Sequence, residues 1–264
     1  MEYVLLWSFL KLIDSSFEDV DIIERAPASL EQPTLLMPPK TRHSQTISLA
    51  SGAGYTRISQ NVSSDQKMQS SGVVSPAYRV QATWSLSKKW SLEASYQNTP
   101  GELNSSIATF ANEREVTWDS FRMNILKFIN SRTALTVGAE QQSSPFIYQE
   151  ADDSLHVSQS KISNAILGLR HQRVFKKTAL AFSFNLLSPF HSENPKGDLS
   201  LQSELAYEAS VEFKYHWAAN FNLGFGWRAL QQENHFKFRS SSSNFNGEQK
   251  YFNSVIDLGL GWEM

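Results

Sequence analysis

The sequence predicts an all-β chain, an antiparallel up-and-down transmembrane β-barrel of about ten strands. Three observations carry that expectation. Apolar and polar residues alternate with period two through most of residues 44–264. The connections between alternating runs are short and long in turn. No run of about 18 consecutive apolar residues occurs, so any membrane crossing is made by strands and not by a helix.

The opening residues stand apart from this pattern. Tyr3 to Ile13 form a short apolar run like the core of a secretory signal, but Glu2 precedes it where a basic residue is usual. Residues 27–43 contain Pro27, Pro33, Pro38 and Pro39 and read as an extended linker. Residues 1–43 are therefore expected to be a signal-like or periplasmic segment with its linker, and residues 44–264 the barrel.

Strands are expected near 45–60, 77–87, 90–98, 115–130, 133–143, 159–175, 178–187, 199–217, 221–231 and 250–264. In the second, Tyr78, Val80, Ala82, Trp84 and Leu86 share one face, with Arg79, Gln81, Thr83 and Ser85 on the other. The pattern resumes at Trp90 after a tight turn, as in a hairpin. In the longest run, Leu199, Leu201, Ser203, Leu205, Tyr207 and every second residue to Trp217 fall on one face. A strand separates such sets because successive side chains point to opposite sides.

Short turns are expected at 87–89, 130–132, 175–177 and 218–220, and long external loops at 61–76, 99–114, 144–158, 188–198 and 232–249. Pro76, Pro100, Pro145, Pro189 and Pro195 all fall in or beside the expected loops, where a missing N–H breaks no ladder. Aromatic residues collect toward strand ends, as belts at two membrane interfaces would require.

The polar faces then line the lumen. They carry Arg79, Arg122, Arg170, Lys214 and Arg228 against Glu93, Glu140, Glu204, Glu208, Glu212 and Asp257. Charges at membrane depth persist where they face protein or water. The near balance of signs points to a lumen cross-linked by ion pairs, since a small barrel has little space beyond its own side chains.

The formal net charge of −2 gives no electrostatic case for nucleic acid. The absence of cysteine excludes disulfides, thiolate metal sites and a catalytic thiol. Mean hydropathy is −0.37, as expected where only every second residue meets lipid. No cofactor and no metal site is expected.

The last residues resemble the C-terminal assembly signal of outer-membrane proteins, with Asp257 in its polar place, Gly259 as its glycine and Trp262 as its aromatic residue. Met264 stands where phenylalanine is usual. With the strand pattern, the chain resembles the broad class of small Gram-negative outer-membrane barrels, which includes ten-stranded omptin proteases and some adhesins. The resemblance implies a place in the outer membrane. The implied partners are outer-membrane lipids, lipopolysaccharide and the barrel assembly machinery. It specifies neither oligomeric state nor solute.

Two constellations bear on chemistry. His156-Val157-Ser158 resembles the His-x-Ser of outer-membrane phospholipases and lipid A deacylases, but Gln159 and Ser160 follow where those families place Asn and a small residue. Asp152 and Asp153 lie near His156, without the second acidic pair an omptin site requires. The expectation is a non-enzymatic barrel, structural or a narrow, largely closed pore, with loops as an interaction surface. Its alternatives are an outer-leaflet hydrolase or protease using Asp153, His156 and Ser158, and a small-solute transporter.

Overall fold

A computed structural model describes residues 45–63, 66–72, 75–105, 115–149, 155–194, 199–218, 220–239 and 244–264. The segment 1–43, Asp152, Asp153, Pro195 and residues 240–243 lie outside the described residues.

Among the described residues twelve strands follow one another: β1 (Gln45–Ser63), β2 (Gln66–Gly72), β3 (Ser75–Ser87), β4 (Trp90–Ser105), β5 (Glu115–Phe128), β6 (Thr133–Gln149), β7 (Leu155–Phe175), β8 (Thr178–Glu193), β9 (Leu199–Ser203), β10 (Ala206–Ala218), β11 (Phe221–Arg239) and β12 (Asn244–Glu263). They fill ten positions in the wall. β2 and β3 share one, the upper part of β1 pairing with β2 and its lower part with β3. β9 and β10 share another, both against β11. All pairings are antiparallel, and β1 closes the barrel on β12 from Thr46↔Glu263 to Gln60↔Gln249. Met264 donates its N–H to Gln45 at 2.8 Å, so the chain end is stitched to the first strand.

The expected strands are all present, but the long loops are mostly strand. β4, β6, β8, β11 and β12 run well past their expected upper ends, and β2 occupies part of the expected loop 61–76. Four prolines stand inside strands for local reasons. Pro76 is the second residue of β3. Pro100 lies between the last β4–β3 pair, Asn98↔Tyr78, and the first β4–β2 pair, Leu103↔Gly72. Pro145 follows Gln142, the last residue of β6 paired with β5. Pro189 adjoins a bulge, where the β7–β8 register shifts.

The short turns are built locally. Between β5 and β6 the Asn130 carboxamide oxygen accepts from the N–H groups of Arg132 and Thr133, both at 2.8 Å. This is the side-chain mimicry of a backbone turn at which asparagine excels.

β11 shows how the wall meets its surroundings. Phe221, Leu223, Phe225 and Trp227 point outward, and then Gln231, Glu233, His235, Lys237 and Arg239 continue the same face. Nine residues from Phe221 to Ala229 span roughly 23 Å of membrane normal at a tilt near 40°, close to the ~25 Å apolar band of outer-membrane barrels. The remaining ten residues stand beyond the membrane on the long-loop side. Along the inward face the order is Asn222, Gly224, Gly226, Arg228, then Leu230, then Gln232 and Asn234, then Phe236 and Phe238. Polarity therefore inverts with height. At membrane depth the barrel is apolar outside and polar inside, and above it the barrel is polar outside with an apolar core.

That upper core gathers Ile58, Leu103, Val116, Trp118, Ile147, Leu155, Leu187 and Leu230, with a second cluster of Phe146, Leu199, Phe236 and Phe238. Each large side chain so buried contributes roughly 1.5–3 kcal/mol.

Candidate functional site

The polar layer at membrane depth is the feature that most constrains what the barrel can do. Its geometry begins with glycine. Gly52, Gly54, Gly138, Gly168, Gly226, Gly259 and Gly261 stand at inward positions of their strands, and neighbouring side chains or backbone fill the space a Cβ would take. A Cβ on Gly168 would lie 1.9 Å from Asn185 Oδ1, and one on Gly226 would lie 2.5 Å from Asp257 Oδ1. Without those glycines the lumen of a ten-stranded barrel is too narrow for long charged side chains.

Into this space project five cations and five carboxylates. Arg79 bonds Asp257 at 2.9 Å and Glu212 at 3.4 Å. Arg170 bridges Glu212 at 2.7 Å and Glu93 at 3.2 Å. Arg122 grips both oxygens of Glu208 at 2.6 Å and reaches Glu140 at 3.0 Å. Arg228 lies 3.8 Å from Glu208 and donates to Gln97, and Lys214 lies 3.9 Å from Glu212. Asn185 and Gln81 add hydrogen bonds to Glu208 and Glu93, both at 2.8 Å. Most pairs reach past the neighbouring strand: β5 to β10, β3 to β10 and β12, β7 to β4 and β10. The layer surrounds a cavity of about 50 Å³. A water occupies about 10–15 Å³ on this measure, so the space holds a few waters and no hydrated solute.

Ten of the eleven charges assigned to the lumen by alternation thus pair within this layer, in two sets: Arg122 and Arg228 with Glu140 and Glu208, and Arg79, Arg170 and Lys214 with Glu93, Glu212 and Asp257. Glu204 does not. It lies in the break between β9 and β10, half exposed, 2.7 Å from His235 Nε2 on the outer face of β11. Its removal from the set leaves the signs equal.

The C-terminal residues divide by face. Asp257 and Gly259 point inward, and Trp262 points outward and stacks on Phe221 with centroids 6.2 Å apart.

The His-x-Ser lies well above the charged layer. Ser158 is buried opposite Phe146 and accepts a hydrogen bond from Asn194 Nδ2 at 3.3 Å. His156 stacks on Tyr148, with centroids 5.5 Å apart, and Tyr148 stacks in turn on Phe238 at 4.6 Å. The motif therefore faces an aromatic wall. Among the described residues no group of three or more His, Asp or Glu is placed to hold a metal ion.

Alternation did not single out the amides of the mouth. Gln249 donates to Gln60 Oε1 at 3.1 Å and to the Pro145 carbonyl at 2.7 Å. Gln60 donates to the Ile147 carbonyl and accepts from the Ile147 N–H, and Gln142 bonds Gln232. Glutamine at an inward position was a readable signal, but nothing in the pattern tells an amide that meets water from one that holds a backbone.

No family model and no curated protein matches the sequence. Solved structures do. The outer membrane protease OmpT from Escherichia coli is similar at a TM-score of 0.61 and 11% identity, covering 86% of this chain and 100% of that one. An outer membrane channel from Pseudomonas putida F1 gives a TM-score of 0.41 at 13% identity, over 90% of this chain and 99% of that one. The outer membrane protein OprG from Pseudomonas aeruginosa gives 0.35 at 7%, over 84% and 97%. With its apolar belt, inverted upper half and closed ten-position wall, the chain has the fold of a small outer-membrane β-barrel.

Proposed function

We propose that the protein is a non-enzymatic outer-membrane barrel whose lumen is closed, and that its work is done by the part standing outside the membrane. One observation carries this reading: two barriers of different chemistry lie in series along one axis. The balanced ion-pair layer leaves about 50 Å³ at membrane depth. Above it, Phe146, Ile147 and Leu155 fill the mouth, each 1% exposed or less. A channel for polar solutes is opposed by the upper barrier, and a path for apolar ones by the lower. The outward polar face of the upper strands, with Glu233, His235, Lys237 and Lys250 on β11 and β12, is the surface offered to partners. At membrane depth the outward aromatic and aliphatic side chains are offered to lipid. The last strand, β12, paired to β1, is the element presented for insertion into the wall.

The experiment is single-channel recording of the refolded barrel in a planar bilayer. The expected result is a folded, heat-modifiable protein with no steady conductance. Reproducible conductance from the unmodified barrel refutes a closed lumen. A lipid- or peptide-hydrolysing activity abolished by His156→Ala or Ser158→Ala refutes a non-enzymatic role.

A further inference from the structure

The upper part of the β6–β7 hairpin is not wall. β6 is paired with β5 only as far as Ser120↔Gln142, and β7 with β8 only as far as Lys161↔Glu193. Beyond those points, among the described residues, the two strands pair with each other alone, from Ser144↔Ser160 to Gln149↔Leu155. The hairpin turns into the barrel, and Ser144, Pro145, Phe146 and Ile147, which alternate between its two faces, are all buried. Ile147 and Leu155 pack with Ile58 and Trp118. Phe146 packs with Leu199 and Phe236 on the opposite wall. The ring of Phe146 meets that of Phe236 edge-on at 5.7 Å.

What holds the hairpin against the wall differs from what holds the strands to each other. Gln60 of β1 makes a two-point contact with the backbone of Ile147, accepting its N–H at 3.3 Å and donating to its carbonyl. Gln249 of β12 donates to the Pro145 carbonyl at 2.7 Å. Near its base, Asn194 donates to Ser158 and Ser160, and Gln159 to the Thr117 carbonyl. These tethers are side-chain hydrogen bonds, which break one at a time, whereas a wall strand is held by a ladder on each side.

We propose that the paired arms 143–149 and 155–160 form a stopper that moves as a unit, hinged at Ser143–Ser144 and Gln159–Ser160 and latched by Gln60 and Gln249. Its departure opens an apolar chamber at the extracellular mouth and leaves the ion-pair layer below intact. This device is independent of conductance: a barrel that conducts in the bilayer experiment would leave it standing, and one that does not would not establish it.

The chain has no cysteine, so one introduced thiol reports one place. Ile147→Cys and the near-isosteric Ser158→Cys put thiols on the hairpin at buried positions, and Ala181→Cys puts one of burial intermediate between the two, outside the upper core, on a wall residue paired on both sides, with Gln172 and Glu212. Each folded full-length variant is exposed to a water-soluble maleimide in detergent, and the alkylation rate is followed by mass. The two hairpin thiols are expected to react at least tenfold faster than the wall thiol. Adding Gln60→Ala with Gln249→Ala is expected to speed the hairpin thiols a further tenfold or more and leave the wall thiol unchanged. Equal rates for hairpin and wall thiols overturn the proposal, as does an equal acceleration of all three by the two alanines, which would mean that the whole barrel opens.

Discussion

Replacing Arg122 by Met removes the hub of the ion-pair layer and leaves two carboxylates behind, and the cost follows from what each retains. Glu208 keeps its hydrogen bond from Asn185 at 2.8 Å and the approach of Arg228 at 3.8 Å. Glu140 fares worse. Arg122 is the partner of its Oε1, and its Oε2 is buried without a hydrogen bond. Both carboxyl side chains are only 2% exposed, so water cannot take over. Breaking a buried pair by removing one partner costs about 3–5 kcal/mol, whereas replacing the whole set by uncharged groups of similar volume is close to neutral. Arg122→Met is therefore expected to lose about 3–5 kcal/mol. Adding Glu140→Gln recovers the larger share, because Glu208 still has partners, and adding Glu208→Gln recovers most of the rest. The assay is reversible denaturant unfolding in detergent micelles, followed by tryptophan fluorescence and checked by the mobility shift of unheated samples on gels. A loss under about 1 kcal/mol, the level of exposed pairs, would refute the burial argument. A triple variant no more stable than Arg122→Met would show that packing of the guanidinium, not charge, holds the layer.

The remaining expectations use the same unfolding assay. Glu204→Ala is expected to cost under about 1 kcal/mol, as for an exposed pair, while Glu208→Ala, four residues on, costs about 3–5 kcal/mol by stranding Arg122. Gly168→Ala drives a methyl to 1.9 Å from Asn185 Oδ1 and 2.6 Å from the Phe184 carbonyl, and is expected to lower stability by about 1–3 kcal/mol. Gly224→Ala, whose Cβ would meet nothing closer than 3.9 Å, is expected to fold with unchanged stability. On the outer face of β6, Val137→Arg places a charge in lipid and is expected to cost about 2–4 kcal/mol, whereas His235→Arg above the band is expected to cost almost nothing.

The membrane-depth half of the fold was legible because one rule governs it. Lipid outside and a polar lumen inside impose strict alternation, and Arg79, Arg122 and Glu212 stand on the parity opposite to the lipid-facing residues of their strands. Which cation meets which carboxylate was not legible, because pairing crosses the barrel between strands far apart in sequence: Arg122 and Glu208 are separated by 86 residues. The upper half obeys the opposite rule. In β11 the outward apolar residues Phe225 and Trp227 are odd-numbered and the inward core residues Leu230, Phe236 and Phe238 are even-numbered. The apolar phase therefore slips between Trp227 and Phe236 although the strand is continuous. A reading by alternation stops there and writes a loop, as it did at 232–249. The prolines reinforced that misreading, since each sits where a ladder is already interrupted.

The run from Leu199 to Trp217 fails in the reverse sense and shows why Glu204 was misplaced. Here the apolar phase does not slip, and the residues read as one unbroken strand. The structure has a break at Glu204–Leu205 that turns the chain over by one residue, so Leu199 and Leu201 face the upper core while Tyr207 and Val211 face lipid. The change of parity at the break offsets the inversion of polarity at the membrane boundary, and the two cancel in the pattern. Continuity of alternation therefore does not establish continuity of a strand where the environment itself inverts, and interruption of alternation does not establish a loop. What distinguishes the cases is the charge in the gap. Glu204 belongs to neither apolar environment, and with His235 beside it the carboxylate stands above the apolar band, where the outer face of the wall is polar.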